Sequence, residues 1–340
     1  MRNFITKSSH RSTIRVQCLV LMRQRYPLSM LHVNNLELSR SSVWLTGSTG
    51  FIGSHILEGL ISRKIKHVTL LSSKNLVRPT VSRISKQISQ VLLDFENEHH
   101  LSWIEDCKLL IDPNYLILNG WGQVTNPNSK THLVENVMCA EGLFNAVPKS
   151  KLQKVIYLGS IDEYGTQYGK IKESDTPIPP LSNYAKGKSL ASLKLIKAAK
   201  KTETPIQHCF VSNVYGPRQR DETLLPQLKR ADSFTFSGES HYRDYIFVED
   251  LVAVLLELLQ SRASSPVNIG SGVSTHCYDF VETAWRLLGK NPSKLSFKHP
   301  DLRDETMMKC LDISRLKEIM SDSLLLNDIA SGLMKTVKML

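Results

Sequence analysis

The sequence predicts an α/β fold, a doubly wound parallel sheet followed by a smaller C-terminal region. Three observations predict it. From about residue 43 to residue 216, short apolar runs alternate with amphipathic helical stretches. A turn with three glycines, GSTGFIG (47–53), joins the first apolar run to the first helical stretch. Past residue 216 the elements shorten and turns multiply, as in GPRQRDET, SGESHYRD and NIGSGVST.

The elements follow in order. VWLTG (43–47) is a short apolar strand. SHILEGLISRKI, directly after Gly53, spaces Ile56, Leu57, Leu60 and Ile61 along one helical face. HVTLLS (67–72) is a second strand. Residues 75–114 carry the weakest pattern; SRISKQISQVLLDF (82–95) is read as a helix, and no order is assigned after it. YLILN (115–119) and KVIYLGS (154–160) are strands, with the helical stretch HLVENVMCAEGLFNAV (132–147) between them. A long helix is expected from Tyr184 to Lys201, then strand and loop in QHCFVSNVYG (207–216). The expected organisation is a basic, poorly ordered extension over 1–42, a main α/β domain over 43–215, and a smaller region over 216–340. That last region interleaves with the main sheet, rejoining it at about 244–260.

Composition narrows the class. Of 340 residues, 41% are hydrophobic and 22% charged, as in an ordinary globular protein. No apolar run is long enough for a membrane span. The six cysteines are scattered without a CxxC pair, which argues against a zinc site or a disulfide framework, so no metal is expected and a reducing compartment fits. The net charge of +11 suggests nucleic acid until its distribution is read: residues 1–42 hold seven Lys/Arg against one acid, Glu37. The densest basic run of the body, KLIKAAKK (194–201), reads as the solvated face of a helix, so no nucleic-acid partner is expected. The Arg- and Ser-rich leader has the composition of a transit peptide. The alternative is a true start at Met22 or Met30. The expected location is the cytoplasm in the second case and an organelle in the first.

The glycine turn carries the first chemistry. Gly47 closes the strand into a tight turn, Gly50 lets backbone approach a pyrophosphate, and Gly53 lets the helix pack on the strand. Thr49, Phe51 and Ile52 complete the loop, and the N–H groups at the helix start face the anion. The context is the required one, a strand before and an amphipathic helix after. The fold is therefore expected to be Rossmann-like.

The spacing GxxGxxG, with TG at the strand end and FIGSH after it, resembles the extended short-chain dehydrogenase/reductases. Within them it is similar to the NAD-dependent epimerase/dehydratase family that modifies nucleotide sugars. The resemblance runs from about Val43 nearly to the C-terminus. The second strand ends LLSSKN, with no acid to hold the ribose hydroxyls of NAD. Ser72, Ser73 and Lys74 suit a 2′-phosphate, so NADP is preferred over NAD.

YAKGK (184–188) places Tyr184 and Lys188 four apart on one helical face. An ammonium near the phenol favours the phenolate and lowers its pKa, and Lys188 is also a candidate to hold the nicotinamide ribose. The resemblance implies that Ser160 bonds the substrate oxygen beside Tyr184, and that Asn136 is a proton-relay or structural asparagine. It further implies that Asn213 in SNVYGPR contacts nicotinamide and substrate. Arg243 in HYRDYIFVEDL, with Arg303 as a second arginine, would hold the substrate diphosphate, for which a guanidinium is suited. Departures from the family pattern are Phe210 in place of an arginine, NGWG (119–122) in place of His-Leu-Ala-Ala, and DLRD (301–304) in place of Arg-x-Gly-Asp.

Three reactions share this scaffold. In a 4,6-dehydratase an Asp-Glu pair directly follows the serine or threonine; here Ile161 intervenes before Asp162 and Glu163. In extended chain that slip turns a side chain to the other face, which argues against the dehydratase and reads the two acids as a solvated turn. The expected activity is 4-keto reduction of a nucleotide-diphosphate 4-keto-6-deoxyhexose, in deoxysugar biosynthesis. The alternative is a 4-epimerase, then the dehydratase. An alternative of another class is a catalytically silent regulatory protein that binds NAD(P); retention of both Tyr184 and Lys188 argues against it. The resemblance also implies a homodimer.

Overall fold

The computed structural model describes residues 38–72, 88–92, 112–175, 177–238, 241–298, 307–320 and 324–340. Strand β1 (Ser42–Thr46) leads through the glycine turn into helix α1 (Phe51–Ser62), and β2 (His67–Ser72) and β3 (Ile88–Leu92) follow. Next come β4 (Tyr115–Leu118), α2 (Glu135–Ala146), β5 (Lys154–Leu158) and β6 (Gly169–Ile171). The long helix α3 (Asn183–Lys201) precedes β7 (Ile206–Val211) and β8 (Asn213–Tyr215). Then follow α4 (Leu224–Arg230), β9 (Phe234–Phe236), β10 (Tyr242–Phe247), α5 (Val248–Gln260), β11 (Val267–Ile269) and β12 (Ser274–His276). The chain closes with α6 (Cys277–Leu287), β13 (Leu295–Phe297), β14 (Met308–Leu311), α7 (Ser314–Met320) and α8 (Ile329–Met339).

Among the described residues, seven strands form one parallel sheet in the order β11-β7-β5-β4-β1-β2-β3. The order reverses between β1 and β4, where an open α/β sheet leaves a crevice at the strand ends. β1 shows why the sheet is covered on both faces. All five of its residues are buried, Val43 and Leu45 in the cluster beneath α1 and α5, and Trp44 in the cluster beneath α2 and α3. Each such side chain fully buried contributes about 1.5–3 kcal/mol. A buried lysine ties the outer layer to the sheet: Lys154 Nζ donates to Leu258 O (2.6 Å) and Ser261 O (2.9 Å) at the carbonyl end of α5. A cation is favourable at that end of a helix dipole.

Two smaller sheets stand apart from the main one. One runs β12-β10-β14-β6, with β8 paired to β10, and the other pairs β13 with β9. A third apolar cluster, with Tyr215, Phe247, Phe280, Trp285 and Leu333, serves this region.

Two expectations need correction. Ile88–Leu92 is a strand paired in parallel with β2, not part of a helix. The segment expected to rejoin the main sheet at 244–260 divides: β10 belongs to the small sheet, α5 covers the main one, and β11 is the strand that enters it. Of the expected basic extension, residues 1–37 lie outside the described residues; Leu38 is fully buried in the core, and Ser42 already begins β1.

Candidate active site

The glycine turn is built on close approach. Gly47 has φ +68°, in the left-handed region, and a Cβ there would lie 2.7 Å from Gly120 Cα. A Cβ on Gly53 would lie 2.0 Å from Gly47 O. The turn is pinned to the end of β4: Asn119 N (3.0 Å) and Gly120 N (2.7 Å) donate to Thr46 Oγ1. Gly50 is the N-cap of α1, no side chain caps the helix, and its first turn holds no acid. The opening amides, from Phe51 and Ile52 onward, therefore keep their donors for an anion. The Ser48 hydroxyl is buried without a hydrogen-bond partner among the described residues. Missing Cβ atoms, uncapped amides and no local negative charge together fit the pyrophosphate of a dinucleotide. Thr49 lies within the same turn. Ser72 ends β2 opposite Leu92; Ser73, Lys74 and Arg303 lie outside the described residues.

The end of β5 and the start of α3 bring Ser160, Tyr184 and Lys188 together. Ser182 caps α3, accepting from Ala185 N at 3.2 Å. Gly187 lets the helix lie against the preceding loop, since a Cβ there would be 2.1 Å from His132 O. Lys188 is buried, and its ammonium donates to Leu158 O at 2.7 Å. Burial lowers its pKa to about 8, and the charge of Glu163 opposes that shift. Tyr184 departs from expectation. Burial raises its phenol above the ordinary tyrosine value, Asp162 adds to this, and the hydrogen bond from Ser160 pulls it back only in part. Burial next to a carboxylate penalises the phenolate, and the Lys188 ammonium is turned toward a carbonyl instead. The result is a phenol that is protonated at neutral pH.

Asn136 holds the neighbouring loop. Its Oδ1 accepts from Gly122 N (3.0 Å) and its Nδ2 donates to Gly122 O (3.1 Å). Its amide also meets His132 Nδ1 at 3.2 Å. That loop carries Trp121, whose Nε1 donates to His132 Nδ1 (3.0 Å) and whose ring lies 4.4 Å from the Lys188 ammonium.

Residues 161–164 form a 3₁₀ turn, so the extended-chain argument about Asp162 and Glu163 does not apply. Glu163 is buried, not solvated; it accepts from Ser160 N at 2.8 Å and faces His208 Nε2 at 3.3 Å. Gly159 makes room for both, since a Cβ there would be 2.3 Å from Glu163 Oε1 and 2.5 Å from His208 Nε2. Asp162 is exposed, pairs with Lys309 Nζ at 3.6 Å, and acts on Tyr184. Phe210, in place of the expected arginine, packs against His208 and Tyr164 at 4.1 and 4.5 Å between ring centroids.

The residues expected to hold substrate sit on the small sheet. Asn213, on β8, donates through Nδ2 to Asp244 O at 3.0 Å. Arg243, on β10, bonds His241 Nδ1 at 2.9 Å and stands in register with Lys309 of β14. Sequence reasoning missed Thr46, Asn119, Trp121, Glu163, His208 and Lys309. Only Glu163 had a local signal, since Ser160-x-x-Glu163 is a capping box.

Comparison with known proteins agrees with this construction. The model of the NAD dependent epimerase/dehydratase family matches residues 43–270. The uncharacterized UDP-glucose epimerase YtcB of Bacillus subtilis is 25% identical over 82% of this chain and 91% of its own. The dTDP-4-dehydro-6-deoxyglucose reductase of Escherichia coli is 24% identical over 78% of this chain and 87% of its own. The UDP-N-acetylglucosamine 4-epimerase from Methanobrevibacter ruminantium has the same fold, with a TM-score of 0.73 at 22% identity over 88% of this chain and 97% of that one. With the glycine turn, the parallel sheet and the family model all in agreement over the same residues, the chain belongs to the NAD dependent epimerase/dehydratase family.

Proposed function

We propose that this protein is an NAD(P)-dependent oxidoreductase acting on a nucleotide-diphosphate sugar, and that it reduces the 4-keto group of a 4-keto-6-deoxyhexose. The observation that supports the reading is that Ser160, at the end of β5, meets Tyr184 and Lys188 at the start of α3, with the Lys188 ammonium on Leu158 O. A phenol can give a proton, and a carbonyl taking up hydride needs one. The nicotinamide supplies the hydride when bound. Ser160 polarises the carbonyl oxygen, Tyr184 gives it a proton, and Lys188 places a positive charge behind them. Asn136 keeps the 119–122 loop in place. Asn213, Arg243 and Arg303 are assigned to the substrate diphosphate, and Lys309 adds positive charge on the same side through its pairing with β10. NADP is preferred over NAD because the sequence at the end of β2 holds no acid, and Ser72, Ser73 and Lys74 suit a 2′-phosphate by their chemistry.

A 4-epimerase is the second reading, favoured by the similarity to the UDP-glucose epimerase of Bacillus subtilis and the UDP-N-acetylglucosamine 4-epimerase of Methanobrevibacter ruminantium. We assign the active form to a homodimer and the location to the cytoplasm. Among the described residues no helix is long and apolar enough to cross a membrane.

The test is a panel of 4-keto-6-deoxy sugar nucleotides with NADPH or NADH. The expected result is consumption of NADPH and a product heavier by two hydrogens. Tyr184→Phe is expected to lose about 10²–10⁴-fold in kcat while still binding dinucleotide. A variant with near-full turnover would remove Tyr184 from the acid role.

A further inference from the structure

Trp121 stands where the family pattern has a small residue, and its surroundings are built for it. Its Nε1 bonds His132 Nδ1 with the two rings nearly coplanar, 8° apart, and it meets the Tyr184 ring in a T-shaped contact. Gly120 and Gly122 flank it. Gly120 packs on Gly47 of the phosphate turn, and Gly122 is clamped on both sides by Asn136. The indole is thus fixed between the glycine turn and the Tyr184–Lys188 pair.

The Lys188 ammonium is enclosed by three groups: Leu158 O at 2.7 Å, the Trp121 ring at 4.4 Å and the Tyr157 ring at 5.3 Å. A desolvated cation over an indole face is among the stronger cation–π contacts. A dinucleotide with its phosphates on Gly47–Gly53 and its second ribose on Lys188 must pass the residue next to Gly120, which is Trp121. We propose that Trp121 is a gate on that path: indole and ribose hydroxyl compete for one face of the Lys188 ammonium, and binding exchanges the first for the second. The proposal rests on Lys188 holding the nicotinamide ribose. It predicts that the departure NGWG makes dinucleotide binding weaker and more selective than the glycine turn alone would.

The experiment uses the full chain and two probes, ADP and ADP-ribose, each with and without the adenosine 2′-phosphate. Only ADP-ribose carries the second ribose. In calorimetric titration, Trp121→Ala is expected to bind ADP-ribose about tenfold more tightly than the wild type and ADP equally well. Adding Lys188→Met is expected to abolish the gain. A second readout needs no truncated side chain. In the wild type, ADP-ribose is expected to change tryptophan emission and ADP is not, and Trp121→Phe is expected to remove the change although Trp44, Trp103 and Trp285 remain. Equal or weaker ADP-ribose binding by Trp121→Ala, or an emission change that survives in Trp121→Phe, overturns the gate while leaving the dinucleotide site intact. Failure of the wild type to bind either probe overturns both the gate and the dinucleotide reading.

Discussion

His55 shows how a single residue behind the phosphate turn is coupled to the fold. It lies on α1 with Nδ1 at 3.0 Å from Phe51 O, and its Nε2 is buried without a partner among the described residues. Burial, with the nearby Arg218 charge, lowers its pKa from 6.5 to about 4. The unfolded chain therefore binds a proton more readily than the folded one between those values. Stability from this group is complete above pH 6.5 and falls as pH drops toward 4, by about 3 kcal/mol in all. Urea unfolding across that window is expected to lose this part of its slope in His55→Gln. An unchanged slope would show that the ring is not held neutral. Tyr184 follows the same logic with the opposite charge type. YxxxK spacing was legible, but the direction of the phenol shift was not, because it depends on burial and on Asp162, brought in by a turn 20 residues upstream.

At the scale of elements, α3 is the scaffold of the site, and Gly187 decides how closely it lies against the 126–132 loop. Gly187→Ala drives a methyl group into His132 O, far inside van der Waals contact. It is expected to cost about 1–3 kcal/mol, read as a lower urea midpoint with unchanged slope, and to lower turnover because Tyr184 and Lys188 flank it. An unchanged midpoint would contradict the packing described. Much of this scale was legible. β1, the turn and α1 follow from apolar runs and glycine spacing, and so do β4, β5 and α3. The strand β3 was not, because Ile84, Ile88 and Val91 repeat at helical spacing and a short edge strand shows its identity only when β2 pairs with it. The acids at 162–163 were misplaced for a similar reason. Strand geometry was carried past Leu158, whereas the capping box of Ser160 and Glu163 winds the chain into a 3₁₀ turn. Trp121 was noticed only as a departure, since its partners His132 and Lys188 reach it through tertiary packing.

At the scale of the whole molecule, the face of α2 and α3 that points away from the sheet carries an apolar set. Val134, Met138 and Leu193 are each more than half exposed, and Leu190 is exposed as well. This is the surface to which we assign the second copy of a homodimer. Met138→Lys with Leu193→Lys is expected to halve the mass seen by sedimentation velocity, and a monomeric wild type would refute the assignment. The same scale joins the two sheets in the proposed mechanism, which assigns the dinucleotide and the acid to the main sheet and the substrate diphosphate to Asn213 of β8 and the cations of β10 and β14, Arg243 and Lys309. The most direct measurement of that account follows the hydride. NADPH deuterated on the transferred position is incubated with the enzyme and a 4-keto-6-deoxy sugar nucleotide, and the product is analysed by NMR. The account predicts deuterium on sugar carbon 4 and one NADPH oxidised per product. Isomerised sugar nucleotide without net NADPH oxidation would contradict it.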